Sequence, residues 1–109
     1  MKQVKFYQTL PEMECLRGDT LRAFKIRTSQ EDPTGSTMKM IIEMQGSPGA
    51  VVKEKECQLD GTVFRVQITS EDTSELEGIY RIHFCLTDTN GLKYRKLAGT
   101  LNVKPTSQR

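Results

Sequence analysis

His83 is the sole histidine of the chain, and Cys15, Cys57 and Cys85 are its three thiols. A histidine acts as a general base only beside a positioned partner and a nucleophile. Strand parity sets His83 on an outer face, and no Ser or Cys constellation can be assembled around it, so it reads as an exposed structural residue. Arg17 near Cys15 and Lys55 near Cys57 are the only local charges that would favour a thiolate. An odd number of cysteines without close spacing makes neither a disulfide framework nor a metal site. They read as inert thiols of a protein made in a reducing compartment.

Other groups invite chemistry and have plainer readings. Arg17-Gly18-Asp19 is the tripeptide that integrins recognise, but so short a match arises often by chance. The plain reading is a tight turn, with Gly18 permissive and Asp19 bonded locally. Lys93, Tyr94, Arg95 and Lys96 form a basic cluster that nucleic acid or an acidic protein surface would suit. Alternation puts Lys93 and Arg95 on one side, as on a solvated sheet face. Glu71, Asp72, Glu75 and Glu77 read as a solvated helical turn, and their spacing does not match a calcium loop. Phosphate loops, dinucleotide fingerprints and paired carboxylates at a useful spacing are absent from the sequence. The expectation is a protein that is not an enzyme and takes no cofactor or metal.

Composition narrows the classes further. The 109 residues fit one domain, and a chain of that length buries roughly two-thirds of its unfolded surface. Charged residues make up 28% and apolar residues 36%, a globular balance. A formal charge of +2 gives no broad electrostatic footprint for nucleic acid. Trp is absent and aromatics are only 6%, which weakens a stacking platform for glycans or single strands. The sequence has no apolar run of membrane-spanning length, and its start lacks a signal-peptide core.

The elements that must position these residues are strands, because hydrophobic period 2 dominates. A first strand is expected over Val4 to Thr9, ended at Leu10-Pro11. A second runs from Thr20 to Ser29, where Leu21 and Ala23 have one parity and Phe24 and Ile26 the other, so a bulge is expected near Ala23. Met40, Ile42 and Met44 face the core from a third strand. Ala50 to Leu59 reads as an exposed edge guarded by Lys53, Glu54, Lys55 and Glu56. Asp60-Gly61 is a two-residue hairpin signal leading into Thr62 to Ile68. A helical piece follows, capped by Ser70. Tyr80, Ile82, Phe84 and Leu86 share the core face of the next strand, and Asn90-Gly91 turns the chain into the last. There Leu97, Leu101 and Val103 are the expected core set.

About seven short, one-sided strands imply an all-β, immunoglobulin-like antiparallel β-sandwich with one short helical crossover. Gly78 and Tyr80 stand after that crossover, at the place of a tyrosine corner. The expected organisation is a single domain over 1–104 with a flexible tail at 105–109.

The order of certain residues also resembles small phage and prophage tail or baseplate structural proteins, including the N-terminal module of the baseplate upper protein family. The likeness rests on Leu16-Arg17-Gly18-Asp19-Thr20-Leu21, then the Met-rich strand, then Ile68 through Leu76 with Gly78-Ile79-Tyr80. Asp88-Thr89-Asn90-Gly91 and Gly99-Thr100-Leu101-Asn102-Val103 complete it. It spans about Leu16 to Val103, and its motifs are structural, so no functional residue is carried over. The resemblance implies a virion component assembled in the bacterial host cytoplasm. Its partners would be other phage structural proteins or further copies of itself. The small net charge argues against nucleic acid as a partner, and from the lack of an apolar run no membrane is expected. The alternative is a free-standing module for a small ligand or glycan, using Tyr7, Tyr94 and His83.

Overall fold

Alternation is most complete in two neighbouring strands, Thr37–Met44 (β3) and Gly78–Thr87 (β7), whose inward residues Met38, Met40, Ile42, Tyr80, Ile82, Phe84 and Leu86 are all buried. The computed structural model describes residues 12–47 and 50–105, with the backbone alone at 97 and 98. The expected strand Val4–Thr9, Tyr7 and the end of the tail lie outside the described residues.

The remaining elements are β1 (Met13–Leu16), β2 (Phe24–Arg27), β4 (Val51–Glu56), β5 (Gln58–Asp60), β6 (Val63–Val66), α1 (Ser70–Ser74) and β8 (Lys93–Lys104). They form a five-stranded sheet, β1-β8-β7-β3-β4, and a three-stranded sheet, β2-β6-β5. Phe24, Ile26, Phe64 and Val66 from the smaller sheet join the inward residues of the larger one in a single buried core. This is an all-β sandwich. The β8-β7-β3 and β2-β6-β5 orders match the two sheets of the immunoglobulin plan, with β4 added beside β3. Among the described residues, no helix is long and apolar enough to cross a membrane.

Several local expectations shift. The sheet is mixed, because β1, which has no counterpart among the expected strands, pairs parallel to β8. β2 begins only at Phe24, so the parity change near Ala23 needs no bulge. Before it the chain is irregular, with the Leu21 N–H donating to the Ile68 carbonyl at 2.9 Å. The expected strand Ala50–Leu59 is divided at Cys57. Its first part is the edge of the large sheet and its second part the edge of the small one. Leu101 and Val103 are buried as expected, while the side chain of Leu97 is outside the description.

The first hairpin turn moves by a residue, whereas the second spans Asp88–Gly91 as expected, with the Gly91 N–H donating to the Asp88 carbonyl at 3.0 Å. Asp60 pairs with Val63, so the hairpin loop is Gly61-Thr62, and a positive φ at Gly61 alone marks a type II′ turn. The second hairpin closes between Asp88 N–H and the Leu92 carbonyl around Thr89, Asn90 and Gly91. Asn90 keeps a negative φ, and Gly91 takes the left-handed position that such three-residue loops require. The Asp88 carboxylate organises that loop by accepting from the N–H groups of Asn90 and Leu92, each at 2.9 Å.

The corner expected at Gly78 and Tyr80 is present. Tyr80 Oη donates to the Glu77 carbonyl and accepts from the Glu77 N–H, both at 2.8 Å. Gly78 carries the chain between them at φ +115°, where a side chain would be strained. Ile82, fully buried, stands two residues after the corner, where antibody domains place a disulfide cysteine. Tyr80→Phe leaves both Glu77 groups without that partner. Urea unfolding is expected to show a loss of about 1–2 kcal/mol with the native fold retained. An unchanged midpoint would deny the corner any role in stability.

Candidate functional site

The outer face of the large sheet is the broadest arrangement of polar side chains that the fold sets in register. Pairing places its residues in rows across β4, β3, β7 and β8. One row holds Glu56, Lys39, Cys85 and Arg95. Beyond it lies Thr37, Thr87 and Lys93, and on the other side Glu54, Ile41 and His83. Then come Val51, Glu43, Arg81 and Thr100. Two bulges shape these rows. Glu43 pairs with Val51 although Ile42 pairs with Lys53, so Val52 is an extra residue. On β8, Gly99 pairs with Ile82 and Leu97 with His83, so Ala98 is extra. The second bulge reverses parity along β8 and puts Lys93 and Arg95 on the outer rows, while Leu101 and Val103 serve the core.

His83 is more enclosed than its parity suggests. Its Nε2 lies 3.1 Å from Glu43 Oε1, and the two side chains are only 13% and 8% exposed. Neighbouring side chains cover Ile41 to 5% exposure although it points away from the core. The imidazole is thus oriented by a carboxylate. Cys85 lies one row away and makes no hydrogen bond to it among the described residues.

The thiols fall into distinct environments. Burial, with the Asp19 carboxylate adding to it, pushes the Cys15 thiol up. Burial pushes Cys57 up to about 12. Cys57 sits where the chain leaves one sheet for the other, its N–H donating to the Met38 carbonyl at 2.8 Å. All three cysteines are free. Among the described residues no three His, Cys, Asp or Glu side chains are grouped as metal ligands.

The basic cluster divides. Tyr94 packs against the core and its hydroxyl reaches Asp88 Oδ2 at 3.5 Å. Lys96 pairs in register with the core residue Phe84. Lys93 and Arg95 remain on the outer face. Tyr94 and His83, two of the three residues that a ligand site would use, therefore lie on opposite faces of the sheet.

In the acidic turn Glu71, Glu75 and Glu77 are exposed as expected, but Asp72 is not. Thr69, not Ser70, caps α1, and its N–H donates to Asp72 Oδ2 at 2.8 Å. Asp72 is 5% exposed. Lys55 Nζ lies 2.6 Å from Asp72 Oδ2 and Lys53 Nζ 3.4 Å from Oδ1. Both lysines belong to the edge strand β4 and occupy its core-facing positions, opposite Met40 and Ile42. Thr73, fully buried, accepts from the Gly18 N–H at 2.9 Å and donates to the Asp19 carbonyl at 2.7 Å. Arg17 donates to the Ser74 carbonyl at 2.9 Å and meets Glu77 at 3.3 Å. The Arg17-Gly18-Asp19 tripeptide is thus a turn docked on α1, with Asp19 Oδ2 accepting from the Leu16 N–H.

The Asp72 site has a definite pH dependence. Burial raises its carboxyl, but the Lys55 ammonium, the Thr69 N–H and the Thr69 hydroxyl together hold it below the ordinary carboxylate range. A carboxyl lowered in the folded state stabilises above its unfolded pKa, about 4, and loses that contribution as pH falls through the folded value. Asp72→Asn is expected to cost about 1–3 kcal/mol at pH 7. The gap to wild type should narrow as urea titrations move below about pH 4; a constant gap would show that the charge is not the stabilising feature. Cys57 provides a separate check. Burial holds its thiol well above the ordinary thiol range, so iodoacetamide at mildly alkaline pH should label it much more slowly in the folded chain than in the unfolded one. Equal labelling rates in native buffer and urea would contradict its burial. The chain matches no protein-family model and no curated protein.

Proposed function

We propose that this chain is a structural module of a phage or prophage particle, associated with the tail or baseplate and acting through protein–protein contacts. On this reading it resides in the virion and is assembled in the bacterial host cytoplasm, against other structural proteins or further copies of itself. The resemblance in its turns, crossover and last strand supports the particle. One surface feature supports the contacts.

That feature is an exposed apolar rim at one end of the large sheet. Met44, Val51, Val52 and Ile79 are each 40–48% exposed and lie on the adjacent strands β4, β3 and β7. Met44, Ile79 and Tyr80 line an open depression of about 490 Å³ beside them. Exposed apolar side chains gathered on a small domain mark a contact surface more often than chance. Strand addition at the β4 edge is disfavoured, because an edge strand with inward-pointing lysines does not readily accept another strand. The contact is therefore made by side chains of the rim.

Ile79→Lys and Val51→Lys each place a charge in that rim without entering the core. Particles purified after prophage induction should contain the wild-type chain, and each variant should be depleted about tenfold or more, as for a contact hot spot. Mass spectrometry of the particles reads this. Absence of the wild-type chain from such particles, together with a strict monomer in sedimentation velocity, would overturn the proposal.

A further inference from the structure

The other end of the same face carries a different surface. Lys39, Cys85 and Arg95 stand side by side across β3, β7 and β8, with Thr37, Thr87 and Lys93 in the row beyond. With Ile41 and Glu54 they line a depression of about 220 Å³. Lys39 reaches Glu54 at 3.6 Å. Lys93 and Arg95 meet no carboxylate among the described residues. Glu54 and Glu56 both flank Lys39, so the positive excess around the small hollow lies at Lys93 and Arg95.

Two exposed cations that lack an internal partner are poised for an external one. The hollow is too small for a folded surface to enter, but it admits a few side chains of an extended segment. Carboxylates would meet Lys93 and Arg95, and the threonine hydroxyls would donate to them. We propose that this depression binds an acidic segment of a partner protein. The charge argument stands by itself; only the identity of the partner as a particle protein rests on the function proposed above. A nucleic-acid strand fits the same surface less well. Tyr94 is turned inward and offers no stacking face, and two free cations make a short track for a phosphate backbone.

The test titrates the purified chain into a fluorescein-labelled peptide of alternating Glu and Ala. Matching Gln/Ala and Lys/Ala peptides and a single-stranded DNA oligonucleotide serve as comparisons. The Glu/Ala peptide alone should bind, more weakly as salt is raised. The double variant Lys93→Gln/Arg95→Gln should bind about tenfold more weakly while unfolding at the same urea midpoint. Saturating peptide should slow alkylation of Cys85, which sits between Lys39 and Arg95. Ile79→Lys should leave peptide binding unchanged, so a failure of the rim contact is distinguished from a failure of this site. Equal peptide affinity of wild type and double variant would overturn the proposal. Oligonucleotide binding that exceeds peptide binding and is lost in the double variant would overturn it in favour of nucleic acid.

Discussion

Taking the Asp72 carboxylate out of water is costly, and one end of the sandwich is arranged to offset that cost. A helix of five residues cannot persist by its own hydrogen bonds, because nucleation fixes several residues for very few of them. α1 persists because Asp72 and Thr73 fasten it on two sides. Asp72 binds the lysines of β4 and the Thr69 N–H, and Thr73 binds the turn at Gly18 and Asp19. Lys55 also donates to the Gln67 carbonyl at 2.7 Å, just past β6. The network thus joins an edge of the large sheet to the chain leaving the small one. An apolar pair could hold the same space with comparable stability. It would not keep charge on an edge strand, which is what stops β4 from accepting a stranger.

The geometry downstream follows from that fastening. α1 ends at Ser74, and within a few residues Tyr80 ties itself back to Glu77. The start of β7 is therefore fixed within its first three residues. β7 is the central strand of the large sheet, paired to β3 on one side and β8 on the other. Its register sets which residues meet across the outer face. His83 beside Glu43, and Cys85 between Lys39 and Arg95, are consequences of where β7 starts.

Much of this was legible from residue order. The core face of β7, the Met-rich β3, the Tyr80 corner and the edge character of the Ala50–Leu59 segment all follow from period 2 and from turn residues. Asp72 was not legible, since an acid in the first turn of a short helix usually faces solvent. The only signal was a pair of lysines at positions where an edge strand would bury its apolar side, and Lys53 to Glu56 reads equally well as a polar edge. The break at Cys57 also escaped. One residue that passes between sheets leaves alternation intact, so parity cannot reveal it. The Asp88–Gly91 turn closes where it is expected, but the first hairpin has a shifted loop, because Asp-Gly announces a turn without stating which residues close it.

The bulge at Ala98 shows how far function can depend on one such illegible residue. Without it, β8 would keep a single parity, and the strand that buries Leu101 and Val103 would also turn Lys93 and Arg95 toward the core. Tyr94 and Lys96 would then face outward, and the basic cluster would present an aromatic with a cation beside it. That would be a better surface for a nucleic-acid strand than for a carboxylate side chain. The extra residue exchanges the two sets. It gives the core a tyrosine anchored to Asp88 and gives the outer face two cations without an aromatic. The chemistry available to a partner is therefore decided by backbone register, and composition alone describes both outcomes equally well.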